Sequence, residues 1–285
     1  MASSDSFHLT EHLLSTTQDQ FKEATQAPFL VAAAEGRLSK EILGRWLASD
    51  RLYIHAYIRA CAHLLSSIDL PPTVPEVEAP ETKLVDWIVE ALAAARREER
   101  LFIDIAERYN LEVNLPVEAP GQASFGVAKV REDAKVPGLS MIQNLFGSIK
   151  PRGGPAESEI IISASDGPTD PIHLRWLEGA VLLWGTERVY LEAWSYAKSK
   201  QPIVSKGPDV REDADGGALR KEFIPNWTSL EFANFVVRLG SIIDTSVEKL
   251  IQTFGEDAKA DILKRIEAKW KSLLVAEASF WPTLD

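Results

Sequence analysis

Carboxylates set among aromatic rings are the residues of this chain best suited to chemistry. Asp50 falls in "RWLASDRLYIHAY", between Trp46 and Tyr53. Glu277 falls in "LLVAEASFW", ahead of Trp281. Glu187 follows Thr186 in "LLWGTERVYLEAW", with Tyr190 and Trp194 after it. At about 100° per residue, Leu43, Trp46, Leu47, Tyr53, Ile54 and Tyr57 make one helical stripe, and Asp50 lies inside it. Ile262, Ile266, Trp270, Leu273 and Trp281 make a second, with Glu277 inside. Trp176, Gly179, Leu183, Tyr190 and Trp194 make a third, flanked by Thr186 and Glu187. Glu98 sits between the Ala94/Ala95 and Leu101/Phe102 turns of a fourth. An acid in an apolar interior is costly unless paired or hydrogen-bonded. Helices that aim such acids at one centre build a polar pocket inside a bundle. Otherwise each acid is a satisfied internal hydrogen-bonder or lies at the solvent edge of its stripe. A ringed pocket of acids suits a flat heteroaromatic ligand: rings stack, and carboxylates take its N–H groups. Arg188 and Glu192, four apart on the other side from Tyr190, are expected to pair with each other.

Other chemistries are weakly represented. His8 and His12 have metal-ligand spacing but lie close to a terminus. "DPIH" (Asp170 to His173) is one D-x-x-H, whereas a di-iron bundle needs repeated E-x-x-H, which is absent. His55 and His63 point well away from Asp50 and read as surface or secondary contacts. Cys61 shares the Asp50 face but sits about 16 Å further along the axis. No phosphate-binding loop, dinucleotide glycine motif, nucleophile elbow or zinc motif occurs. No metal and no cofactor are expected. A single cysteine excludes an intramolecular disulfide and fits a reducing compartment. No apolar run reaches the roughly 20 residues of a membrane span, and the first residues lack the basic and apolar regions of a secretory signal. A cytoplasmic location is therefore expected. The net charge of −11 argues against nucleic acid and anionic membranes as partners.

The elements that must position these acids are helices. One is expected from about Leu9 to Ala24, and a short one in "APFLVAAAEG", started by Pro28 and stopped by Gly36. Ser39 caps the long Asp50 helix, and "LPPTVPEVEAP" links it to the Glu98 helix, which is expected to break near Arg97. Residues 112–168, rich in Pro, Gly and Ser, read as a long excursion holding at most short elements such as "GLSMIQNLFGSI" and a possible strand "SEIIISAS". The Glu187 helix is expected to start at Asp170–Pro171. Thr228 and Glu231 have capping-box spacing ahead of the penultimate helix, and the last helix runs from about Asp257 to Phe280. The prediction is an all-α bundle in one domain over 1–285, with 112–168 inserted before the central helix.

Three ordered stretches carry a family resemblance. "APFLVAAAEGRLSKEILGRWLASDRLY" resembles the opening of the TenA (thiaminase II) family, "LLWGTERVYLEAW" resembles its central helix, and "EASFW" resembles its C-terminal acid segment. Together they cover about two-thirds of the chain. The resemblance implies a haem-oxygenase-like helical bundle, usually a homo-oligomer, acting on aminopyrimidines of thiamin metabolism. By position it implies that Asp50 and Tyr53 bind the pyrimidine, that Tyr190 lines the pocket, and that Glu277 is an acid/base. Trp227 takes the place of a pocket tyrosine. Thr186 takes the place of the nucleophilic cysteine, and a threonine hydroxyl without an adjacent base is a poor nucleophile. Glu187 is the nearest carboxylate to that position and could activate water. The expectation is a cysteine-less hydrolase of an aminopyrimidine, using Glu277, Glu187 and Tyr190 in catalysis and Asp50, Tyr53, Trp46, Thr186 and Trp227 in binding. The alternative is a binding or regulatory protein that keeps the pocket without the chemistry.

Overall fold

The computed structural model describes residues 6–118, 129–149, 174–202 and 212–284. Among the described residues there is no strand, only an antiparallel bridge between Val117 and Val130. The predicted helix starting at Leu9 is two helices, α1 (Leu9–Thr16) and α2 (Gln18–Thr25). The corner is Thr17, whose hydroxyl donates to the Leu13 carbonyl at 2.7 Å and accepts from Trp270 Nε1 at 2.8 Å. A tertiary bond, not a local breaker, bends the chain there. Helix α3 (Pro28–Ala34) starts on its proline and is followed by Gly36 at φ 69°, in the left-handed region that glycine tolerates. Helix α4 (Lys40–Ser66) is capped by Ser39, whose Oγ accepts from Ile42 N at 3.3 Å.

Helix α5 (Pro80–Tyr109) runs through Arg97 without the expected break. Its interior has no Gly or Pro after the first turn, and Ala91, Ala95, Phe102 and Ile105 keep one face buried throughout. Within the excursion, α6 (Pro137–Gly147) matches the short predicted element. The stretch "SEIIISAS" and the predicted start at Asp170 lie outside the described residues. Helix α7 (Leu177–Ser199) carries Thr186 and Glu187. A π-helical turn, Leu219–Phe223, leads into α8 (Ile224–Trp227). Helix α9 (Leu230–Phe254) is capped by Ser229, not Thr228: Ser229 Oγ accepts from Phe232 N at 3.2 Å, while the Thr228 hydroxyl donates back to Ile224 O. Helix α10 (Glu256–Ala278) closes the bundle.

Helix α7 is the hub, packing against α2, α3, α4, α8, α9 and α10. Gly185 makes this possible, because a β-carbon there would run into Trp270 and Leu273 of α10. Helix α6 wedges between α4 and α10, where Gly138 N donates to Ser279 O at 3.0 Å. Buried residues from α1 through α10 join one apolar cluster. An aromatic layer lies within it: Trp194 stacks on Trp227 at 4.4 Å and Trp46 on Trp281 at 5.8 Å. Such pairs add roughly 0.5–1.5 kcal/mol each beyond the area they bury. Among the described residues no helix is long and apolar enough to cross a membrane.

Candidate functional site

Spacings of three and four bring Asp50, Tyr53 and Tyr57 to one face of α4. Glu98 of α5, Thr186, Glu187 and Tyr190 of α7, Trp227 of α8, and Phe232 and Phe235 of α9 complete the wall of a cavity of about 420 Å³. At its mouth are the exposed residues Arg97, Asn226 and Glu231. Its wall holds Asp50, Glu90, Glu98, Glu187 and Glu231 against one basic residue, Arg97, among the described residues. Glu90 is paired with Arg238 at 2.6 Å. The inner acids, Asp50, Glu98 and Glu187, supply hydrogen-bonding groups to the wall, which suits a ligand rich in N–H donors.

Each inner acid has a definite partner or neighbour. Asp50 Oδ2 accepts from the Tyr190 hydroxyl at 2.7 Å. Burial pushes the Asp50 carboxyl well above its ordinary range, and the nearby Glu98 pushes it further. Glu98 Oε1 accepts from Trp227 Nε1 at 2.6 Å, and burial raises this acid too. Glu187 is raised by burial to about 8, with Tyr57 working against the shift and Glu98 for it. The three pocket phenols, Tyr53, Tyr57 and Tyr190, are all pushed well up by burial, so they stay protonated and act as donors. Tyr53 and Tyr190 spend their protons on carboxylates; the Tyr57 hydroxyl is buried and has no hydrogen-bond partner.

Glu277 does not line the cavity. It is fully buried behind Tyr53, whose hydroxyl donates to Oε1 at 2.6 Å, and its Oε2 has no partner. Burial raises it to about 8, and Glu187 adds to the rise. Tyr53 lines the cavity and so links Glu277 to it. Trp46 also stands back from the cavity, in contact with Trp227 and Trp281 and with its own Nε1 unpartnered. Thr186 lines the cavity, but its hydroxyl donates to Leu182 O at 2.8 Å within its own helix.

The other sequence candidates fall outside this site. Arg188 pairs with Glu192 at 2.9 Å, as its spacing predicts. His12 meets Glu267 at 2.9 Å and His8 faces Asp244, and no cluster fit for a metal occurs among the described residues. His55 is half-buried against Glu99, which Arg96 also holds, and His63 meets Ile149 O. Cys61 is buried, and desolvation pushes its thiol up. Sequence reasoning missed the Trp227–Glu98 bond and the Phe232 and Phe235 wall; the available signal was the flank position of Glu98.

The same arrangement of helices is found in known structures. The chain overlays a TenA homologue from Pyrococcus furiosus at TM-score 0.58, 19% identity, covering 95% of this chain and 97% of that one. A TenA family transcription regulator from Silicibacter overlays at TM-score 0.62 and 13% identity, over 98% and 97%. A TenA homologue from P. horikoshii gives 0.58 and 18%, over 96% and 97%. The chain has the TenA fold. This is the haem-oxygenase-like helical bundle that the three sequence stretches imply. No family model matches the chain. In sequence it is 25% identical over 260 residues to a probable transcription factor of Fusarium pseudograminearum. That match takes 83% of this chain but 45% of the relative, so the chain spans about half the length of the curated relative it matches.

Proposed function

We propose that the chain is a TenA-type hydrolase that removes an amine from an aminopyrimidine, with carboxyl groups in place of a thiol nucleophile. The observation that carries this reading is the pairing of Asp50 with Glu187 in one ring-lined cavity, with Glu277 one phenol behind it. A protonated carboxyl offers one donor and one acceptor side by side. Asp50, held protonated by burial, matches the ring nitrogen and exocyclic amine of an aminopyrimidine edge. Tyr190 fixes its second oxygen. The aromatic walls, Trp227, Phe232 and Phe235, sandwich a flat ring.

Glu187 and Glu277 both titrate near 8, and Glu187 adds to the rise of Glu277, so around pH 8 the pair holds about one proton. Such a pair supplies an acid and a base together. The water oxygen bonds to the carbon as the C–N bond breaks. The bonding electrons leave with nitrogen, one carboxyl takes the water's proton, and the other protonates the departing nitrogen. The test is release of ammonia from an aminomethyl-pyrimidine. Wild type releases it catalytically; Glu277→Gln and Glu187→Gln lose at least about a hundredfold in kcat.

A second reading is a ligand-binding regulatory module. Two observations favour it: the Thr186 hydroxyl is tied to its own helix, and the curated relative bears a transcription-factor name over a longer chain. It predicts saturable binding of the same pyrimidine with no ammonia released.

A further inference from the structure

Outside the cavity, α4 and α5 gather positive charge on a chain whose net charge is −11. Arg51, His55 and Arg59 recur every fourth residue along α4, so they form one ridge about 12 Å long. Beneath it lies Glu99 of α5, 5% exposed. Its carboxylate meets His55 Nε2 at 2.6 Å, pairs with Arg96, and lies 3.7 Å from Arg51 Nη2. Arg51 also donates through Nη1 to Val113 O at 3.0 Å and to Asn114 Oδ1 at 3.3 Å, which fixes its guanidinium. Arg59 is exposed and has no acidic partner among the described residues. One buried carboxylate thus serves three guanidinium groups and an imidazole. Burial, and then Arg51, Arg59 and Arg96, hold the His55 imidazole below its ordinary range although a carboxylate touches it. Cations gathered this closely repel one another, and an anion placed among them removes the repulsion. Neither His55 nor Glu99 lines the cavity, so the ridge is separate from it.

We propose that this ridge is a binding site for a phosphate dianion, free or carried by a small organic molecule. Arg59 and Arg96 offer forked N–H pairs to its oxygens, the geometry for which guanidinium is best suited. His55 keeps Nε2 on Glu99, takes up a proton, and donates through Nδ1 to a third oxygen. Glu99 stays below as the acid that holds His55 and Arg96 in place. Arg51, tied to Val113 and Asn114, closes one end of the ridge. The site is independent of the hydrolase reading, because no group in it touches the cavity chemistry.

The experiment is NMR of the full chain, labelled with nitrogen-15 in its histidine rings. It is titrated with inorganic phosphate and with phenyl phosphate at constant ionic strength, with sodium chloride as the reference. Phosphate shifts the His55 ring signals saturably and raises the pKa of that ring. The rings of His12 and His63, held by Glu267 and by Ile149 O, stay where they are. Arg59→Gln weakens the binding about tenfold at low ionic strength, the worth of a charged hydrogen bond. Arg59 holds no acid, so its replacement leaves the melting temperature level, which separates lost binding from lost folding. Tighter binding of phenyl phosphate makes the ligand an organic phosphate; equal or weaker binding makes it the free anion. A His55 shift no larger than chloride produces, or one that Arg59→Gln leaves unchanged, overturns the proposal. Ammonia release is untouched by either result.

Discussion

At the scale of residues, the site is a set of acids kept protonated by burial rather than by neighbouring charge. Desolvation is the largest cause for Asp50, Glu98, Glu187 and Glu277 alike. Two of them titrate near 8, which yields a prediction for rate. On the proposed hydrolase reading the reaction needs one proton between Glu187 and Glu277, so the pH profile of kcat/KM is expected to be a bell with its maximum close to 8, its limbs belonging to the pair. Replacing either acid with glutamine removes the bell along with the activity. Steady-state rates from pH 6 to about 10 check this. Asp50 and Glu277 were legible in the sequence because each sits inside an apolar stripe, where an acid has no routine reason to be. Tyr57 was legible only as part of a stripe; the burial of its hydroxyl on the cavity wall shows only once the helices are packed. The bonds from Tyr53 to Glu277 and from Trp227 to Glu98 join residues 224 and 129 positions apart, which no local pattern reports.

At the scale of elements, the helix of the inserted excursion supports the site from behind. Phe146 of α6 meets Tyr53 and Tyr57 edge-on at 5.7 and 6.0 Å. It is 2% exposed, so Phe146→Ala opens a cavity there and costs about 3–5 kcal/mol. Its distinctive effect is on the site: both phenols lose their brace, and kcat falls more than the affinity for a hydroxymethyl-pyrimidine. Chemical denaturation and steady-state kinetics on the same preparation separate the two. Helix existence was readable from periodicity, including α6 within a Pro- and Gly-rich stretch. Boundaries were less so. Thr17 ends α1 because Trp270 reaches it from α10, and Ser229 rather than Thr228 caps α9 because the earlier hydroxyl turns back to Ile224. Both choices are made by geometry between residues of equal local merit. Helix α5 stays whole at Arg97 because its buried face continues past that point.

At the scale of the molecule, a bundle that keeps acids protonated has a characteristic response to pH. The folded pKa of Glu277 is raised from 4.5 to about 8. The folded state therefore holds a proton that the unfolded chain gives up above about 4.5. Its contribution to stability is fully present below the unfolded value and is lost as pH rises through about 8. Stability of the free protein should fall between pH 5 and 8, on the order of 1 kcal/mol per unit for a fully buried group. In Glu277→Gln that slope is shallower; urea titrations at several pH values measure it. The fold itself is the part most fully legible in the sequence, because three separated stretches point to one bundle and the bundle overlays TenA homologues. The most direct test of the account is the affinity of the matching hydroxymethyl-pyrimidine, which has no arm amine to release, for wild type, Asp50→Asn and Asp50→Leu, measured by calorimetry. Asn keeps the donor and acceptor of a protonated acid and Leu keeps only its bulk. The account predicts saturable binding to wild type, most of it retained in Asp50→Asn, and a loss of at least about a hundredfold in Asp50→Leu. Equal affinity in wild type and Asp50→Leu would contradict it.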